Sequence, residues 1–515
     1  MQQEGRGANP TEEEDDAFNR GGEHTARDEE ERLISSDDQH EHETEHQQQQ
    51  QQQQQPKFSL HPAWRFVIVM VSFGIAMIFI KIVVVLVLQY QQQADQASQQ
   101  EPDYTSKYDP IWHNGSDTFG PTVVLVSLDG FRAEYLQRDL TPNMLEFART
   151  GVRAEYMHPA FPTLTFPNHW TLVTGLHPES HGIVANDFYD PAMKKEFTFR
   201  DAENPSWFNG EPIWKTIKSE GKISAVTMWP GSTAKGLQPD YVVPYNESVT
   251  AKEKMDTVLQ WLDMPNERRP NFIGAYIGQT DQQGHASGTN DDKTNRVIKE
   301  MDDAIGYLVG GLQTRNLFNS IHVIIVSDHG MTNTDNSRII YYDDILSNSS
   351  MHWLRGREAS PLLNLRFKDD TPQDIITQAY NELLSYTQQT ANPPFQVFLK
   401  QDVPHRFHYS NNDRITPIVV IPNVGYVLVS HEEWHPSSPK QRFAPKGIHG
   451  YDNMAAEMRA IFLAHGPRID RYYGRHTILA PFHNTEVYSF MCQLLNVKPA
   501  SHNGTLHGQF MRVHR

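Results

Sequence analysis

Residues 66–88 form a run of 23 residues, FVIVMVSFGIAMIFIKIVVVLVL, interrupted by a single charge at Lys81. At about 1.5 Å per residue such a run crosses the roughly 30 Å of a bilayer's hydrocarbon. A secretory leader has a shorter apolar stretch close to the start of the chain, whereas 65 residues precede this one. The pattern therefore predicts one transmembrane helix, with Lys81 reaching along its stem toward the nearer interface. Beyond it the hydrophobic pattern changes character. Residues 122–128 (TVVLVSL), 271–278 (NFIGAYIG) and 321–327 (IHVIIVS) are continuous β-branched or apolar runs of strand length. Runs of this kind mark strands covered on both faces. Amphipathic helical patterns follow at 293–313 and 371–387, and the alternation predicts an α/β fold with helices on both faces of a central sheet. Residues 355–440 depart from it as a strand-helix-strand insert, read as a small α+β cap over the edge of the site.

Charge divides the chain at the same place. Residues 1–65 hold 16 Asp and Glu against 6 Lys and Arg, with nine consecutive glutamines at 47–55. So polar a segment cannot offset the entropy of ordering and is expected to be a disordered cytosolic tail. Residues 89–118 read as a Gln-rich stalk and 119–505 as a catalytic domain. Lys57 and Arg65 precede the apolar run and only Lys107 follows closely, which favours a cytosolic N-terminus. The sequons at Asn114, Asn246, Asn348 and Asn503 all fall on the other side. The expectation is a single-pass type II membrane protein whose ectodomain is lumenal or extracellular, in a vacuole, an endosome or at the cell surface. Glu29 with Leu33 and Ile34 resembles an acidic dileucine signal for a sorting adaptor, a chance pairing being the alternative. The mild acidity of the remaining chain argues against a stable nucleic-acid complex. With Cys492 as the sole cysteine, an internal disulfide or a multi-cysteine zinc site is excluded, and Cys492 itself falls in an apolar stretch expected to be a buried helix.

The three predicted strands each lead to an aspartate: Asp129, Asp281 and Asp328. Ligands of open α/β sheets sit beyond the carboxyl ends of the strands, so these acids converge on one edge. One such aspartate is ordinarily a turn former. Three together repel, and burying them without a cation costs several kcal/mol each. His285 stands four residues after Asp281, on the same helical face, and His329 follows Asp328 directly. Imidazoles mixed with carboxylates and no thiolate suit zinc first, with manganese and iron as alternatives, and do not fit an all-oxygen calcium or magnesium cage. Two sites need about six protein ligands, and His449 supplies the sixth. Two divalent cations would leave a positive surplus and favour an anionic substrate. Thr165 precedes Pro167 and a helix ended by Gly175, where free N–H groups bind phosphate oxygens, though a plain helix cap is the alternative reading.

The motifs DGFR at 129–132, TFPNH at 165–169, TG at 174–175 with PESHG at 178–182, DQQGH at 281–285, SDHGM at 327–331 and GYDN at 450–453 occur in order. Together they resemble the ectonucleotide pyrophosphatase/phosphodiesterase family of the alkaline phosphatase superfamily, over about residues 121–500. The resemblance implies two Zn²⁺ ions, one held by Asp129, Asp328 and His329 with Thr165 as reactive ligand, the other by Asp281, His285 and His449. It implies a nucleotide substrate attacked by Thr165 through a covalent threonyl-nucleotide intermediate. Asn168 and the Thr165 N–H would stabilise the non-bridging oxygen, and Phe166 would stack the nucleobase near Asn186. Leu164 stands where many animal members carry lysine, and Thr227 where some carry tyrosine. These departures keep open a lysophospholipid phosphodiesterase or phosphoethanolamine transferase on the same fold, and the sequons and long polar tail leave open a catalytically silent membrane glycoprotein with structural metals. His405, His408 and His431 are expected to be surface or structural residues.

Overall fold

The computed structural model describes residues 111–434, 445–511, 77–85 and, further upstream, 63, 67, 70, 71, 73 and 74. The acidic tail, its Glu29, Leu33 and Ile34, the Gln-rich stretch to 110 and the remainder of 66–88 lie outside the described residues. The described positions between 63 and 85 are helical and exposed, and among the described residues no helix is long and apolar enough to cross a membrane.

The described residues from 111 onward pack as one unit around an eight-stranded sheet. In chain order its strands are β1 (Val123–Leu128), β2 (Val152–Ala154), β3 (Ser224–Thr227), β4 (Tyr241–Val243), β5 (Phe272–Ile277), β6 (His322–Val326), β7 (Phe462–His465) and β8 (Thr477–Leu479). They lie side by side as β8-β2-β7-β6-β1-β5-β3-β4. Every neighbouring pair is parallel except the two made by β7. All three strands expected from the sequence are thus central, and each is buried along its whole length.

Alternation along β1 explains the two cores. Val123 and Leu125 join helices Thr165–Thr174, Ile213–Ser219 and Glu486–Leu495 on one face. Val124 and Val126 join Pro142–Thr150, Ala251–Leu262 and Asp292–Thr314 on the other. A side-chain period of two sends successive residues to opposite faces, so a strand with helices on both sides must be apolar throughout. Cys492 is buried in the last helix, as expected.

The insert folds as a four-stranded antiparallel sheet, Leu354–Glu358, Leu363–Phe367, Ile418–Pro422 and Phe395–Leu399 in spatial order, with Gln373–Gln389 and a core of its own. The far end of the predicted stalk departs from expectation. Trp112–His113 pairs with Thr118–Phe119, Asn114 Nδ2 donates to Arg315 O at 3.0 Å, and Trp112 packs on a core cluster. Residues 111–118 belong to the folded unit because an aromatic ring and backbone pairing hold them there.

Candidate active site

Strands β6, β1 and β5 are adjacent and parallel, and their registers bring the ends level: Leu128 faces Ile277, and Ser127 faces Val326. Asp129 follows its strand at once and Asp328 one residue later, after Ser327, while Asp281 sits in the first turn of helix Gln279–Ser287, which also carries His285. Gly130 has a φ of +65°, and a Cβ there would come within 3.0 Å of Asp281, so the turn after Asp129 needs glycine both for conformation and for space. His449 arrives from a separate segment, where a Cβ on Gly447 would lie 2.4 Å from Gly284 O. The backbone carrying His449 is pressed directly on the helix carrying Asp281 and His285.

The six expected ligand residues come together. His449 Nε2 lies 3.2 Å from Asp281 Oδ1 and 3.2 Å from His285 Nε2, which is itself 3.5 Å from Asp281 Oδ2. His329 Nε2 lies 2.9 Å from Asp328 Oδ2, 3.5 Å from Asp129 Oδ1 and 3.4 Å from Thr165 Oγ1. The division into two sets is less sharp than the sequence suggests. His329 stacks on His449 at 3.6 Å and shares a 4.8 Å sphere of donor atoms with Asp281 and His449, while His169 shares one with Asp129 and Asp328.

The donor chemistry fits cations. Nδ1 of His285, His449 and His329 each contacts a backbone carbonyl, of Gly447 at 2.8 Å, Thr163 at 2.9 Å and Gly330 at 2.9 Å. A carbonyl only accepts, so Nδ1 carries the hydrogen and the Nε2 of each neutral ring presents a lone pair. Two lone pairs facing at 3.2 Å, as in His285 and His449, have no hydrogen to share. Asp129 Oδ1, Asp281 Oδ1 and Asp328 Oδ2 are buried without a hydrogen-bond donor. Burial, reinforced by Asp328 and Asp281, pushes Asp129 well above the usual carboxylate range. Burial also acts against ionised Asp328, and positive charge on the imidazoles of His329 and His169 would overcome it and hold that carboxyl well below its ordinary value. In Asp281 burial would likewise be outweighed, by His285 and His449. Acids so opposed in one pocket lack positive charge, which divalent ions would provide.

Thr165 is the first residue of helix Thr165–Thr174, with Leu164 as its cap and Gly175 closing it in the left-handed conformation. Its N–H precedes the helical ladder, and the residue is half-buried. Phe166 is half-buried and meets Phe197 edge-on at 5.5 Å.

Asn168 requires a correction. It is fully buried, its Oδ1 accepts from Ala160 N and Asn484 Nδ2, and its Nδ2 donates to Pro162 O and Leu164 O. Three residues along a helix from Thr165, it points into the core and braces the segment Pro162–Leu164 that leads into the helix. Asn186, half-buried, stands nearer the site instead: its Oδ1 accepts from Phe166 N at 2.9 Å, which leaves its amide hydrogens for other partners. Thr227, the last residue of β3, is buried at 1% exposure. Leu164 is buried too, against Gly450.

Three residues near the centre carry no role in the sequence reading. Tyr276, near the end of β5, donates a 2.6 Å hydrogen bond to Asp129 Oδ2. Tyr245, 52% exposed, accepts from Gln282 Nε2 on the helix of Asp281, and its ring lies 6.2 Å from that of Tyr276. His169 follows Thr165 by one helical turn, and that i, i+4 spacing was the signal that could have identified it. Of the sequons, Asn246, Asn348 and Asn503 are exposed, while Asn114 is half-buried with its amide engaged. His408 is exposed and stacks on His177 at 3.9 Å.

A sheet edge gathering carboxylates, imidazoles and one helix-terminal hydroxyl is the arrangement of a phosphoryl-transfer hydrolase. Residues 123–452 match the family described as "Type I phosphodiesterase / nucleotide pyrophosphatase". The chain is 41% identical over 405 residues to a pyrophosphatase/phosphodiesterase of Schizosaccharomyces pombe, covering 77% of this chain and 81% of that one. It is 37% identical over 415 residues to ectonucleotide pyrophosphatase/phosphodiesterase family member 3 of Bos taurus, covering 79% of this chain but only 45% of the bovine protein, so it spans about half of that relative. Its fold matches murine ectonucleotide pyrophosphatase/phosphodiesterase 5, an inactive threonine-to-alanine variant in complex with AMP, with a TM-score of 0.66, 33% identity and coverage of 74% and 97%. The chain belongs to the ectonucleotide pyrophosphatase/phosphodiesterase family, in the alkaline phosphatase superfamily. It is an enzyme of the nucleotide pyrophosphatase/phosphodiesterase class, in a family that is metal-dependent.

Proposed function

We propose that the chain hydrolyses NTPs or dinucleotides at the α-phosphate and releases a nucleoside 5′-monophosphate, with Thr165 as nucleophile. The observation that carries this reading is the convergence of six acid and imidazole ligands around one hydroxyl, with every Nδ1 already committed to a carbonyl. Two zinc ions are the cations this donor set suits, one with Asp129, Asp328, His329 and Thr165, the other with Asp281, His285 and His449. Bound zinc supplies Lewis-acid charge that lowers the pKa of nearby hydroxyl and water and screens the phosphate.

Thr165 Oγ attacks phosphorus as the bond to the leaving oxygen breaks, giving a threonyl-nucleotide. Water then displaces Thr165, so two inversions yield retention. The Thr165 N–H and the free amide hydrogens of Asn186 hold the non-bridging oxygen, a contribution of about 3 kcal/mol for a donor of this kind. Phe166 and the exposed ring of Tyr245 provide apolar walls for a nucleobase. The two departures that opened a lipid reading, Leu164 and Thr227, are buried. We also propose that residues 66–88 anchor the protein as a type II membrane glycoprotein, sorted through Glu29, Leu33 and Ile34.

Incubating the chain with an aryl ester of a nucleoside monophosphate tests the activity. Phenol release that a chelator stops and zinc restores is expected. Release of choline from a lysophospholipid in preference to the nucleotide ester would overturn it.

A further inference from the structure

We infer that His169 is a positioning residue that ties the nucleophile to the carboxylate of Asp328, and that it does so from outside the coordination sphere. The inference rests on the reading of Thr165 as nucleophile. His169 is fully buried on the nucleophile helix. Its Nδ1 lies 2.9 Å from Thr165 O and 3.3 Å from Asp328 Oδ2, and its Nε2 lies 2.9 Å from Ser127 Oγ.

These contacts decide what the ring does. The Thr165 carbonyl can only accept, so Nδ1 carries a hydrogen and has no lone pair for a cation, although the ring stands among donor atoms close enough to hold one. Nε2 then accepts from the Ser127 hydroxyl. The single Nδ1–H faces two acceptors at once: the carbonyl of the reacting residue and the otherwise unsatisfied oxygen of Asp328. The ring cannot swing away, because Trp229 and Tyr276 meet it edge-on, each at 5.0 Å, and Trp229 Nε1 donates to His169 O at 3.1 Å. Tyr276 in turn holds Asp129 at 2.6 Å, so one packed layer behind the site fixes both carboxylates and the start of the helix. Outer partners of this kind orient ligands, and their loss typically lowers metal affinity or activity about 10- to 100-fold.

The test compares His169→Asn, whose amide can place a donor near the Nδ1 position, with His169→Gln, whose amide reaches toward the Nε2 position, and His169→Leu, which has no donor. Each full-length variant is assayed for kcat and KM on the aryl nucleotide ester and for the rate of zinc release to a chelator well below its thermal midpoint. The expected result is a fall in kcat of about tenfold or more for Leu and Gln with KM unchanged, zinc release faster by about tenfold, and recovery of most of both by Asn. A role in packing alone would lower the thermal midpoint without separating Asn from Gln. Equal behaviour of Asn and Gln in both readouts, or wild-type behaviour of Leu, overturns the inference. Should Leu fail to fold, the Asn and Gln pair decides. Thr165→Ala runs alongside: if it retains turnover, the nucleophile reading falls, while zinc release still reports whether His169 steadies Asp328.

Discussion

Two groups of histidines in this protein show how placement alone divides a residue type between chemistry and packing. In the first, His285, His329 and His449 lie edge-in among three aspartates, with Nδ1 tied to backbone and Nε2 directed inward. In the second, His177 and His408 stack at 3.9 Å with an interplanar angle of 8°, and His158 stacks on His483 at 5.1 Å. The nearest carboxylate there, Glu179, is 4.0 Å from His408, and it already accepts from Ser410 N and Asn411 N. Stacking alone does not separate the groups, because His329 also stacks on His449 at 3.6 Å; what separates them is the three carboxylates that lie within reach of the Nε2 atoms of the first. The first group has the donor chemistry that suits cations, and in the second the His177–His408 stack joins residues 405–412 to the segment of the short helix Pro178–His181.

The sharpest way to break this contrast is at the reacting hydroxyl. Thr165→Ala should lower kcat on a nucleotide ester on the order of 10⁴-fold or more while leaving the melting temperature close to wild type. A comparable loss from His408→Ala would erase the distinction between the groups. Next, His449→Ala should release metal by elemental analysis and lose most turnover, whereas His483→Ala should retain the full metal content. A smaller effect is expected from Tyr276→Phe, which removes the hydrogen bond to Asp129: zinc affinity in a competition titration should weaken by about tenfold with the fold intact.

The smallest concerns acid. Burial, with His408 and His483 nearby, lowers His177 to about 3, and burial with His158 and His408 lowers His483 to about 4. An unfolded chain protonates these rings near 6.5, so the folded state binds fewer protons between that value and the lowered ones. Their neutral packing costs nothing above pH 6.5, and stability falls as the pH drops from there toward 4. His177→Gln should flatten the pH dependence of the melting temperature over that window. An unchanged slope would remove His177 from the account.

How far the sequence disclosed this arrangement depended on whether geometry follows from local spacing. Asp129 and Asp328 were legible because a β-branched run ends on them, and Asp281 with His285 because i, i+4 on a helix fixes a shared face. Asn168 misled for the same reason in reverse: it is close to Thr165 in sequence, but three helical steps rotate its amide into the core against Asn484, 316 residues away. Tyr245 lies in a loop with no periodicity to announce it, and Tyr276 gains its meaning only from the register that sets β5 beside β1. Leu164 and Thr227 could not be judged as pocket residues until their burial was known.

Because Asp129, Asp281 and Asp328 emerge from three neighbouring strands, their lateral separation is inherited from the hydrogen-bond ladder, about 4.8 Å per strand. Side-chain replacement can change which ions are held or how tightly, but it cannot alter that ruler by small amounts. Divergence among such enzymes is therefore channelled away from the reacting centre and into the loops and appended pieces that decide what reaches it.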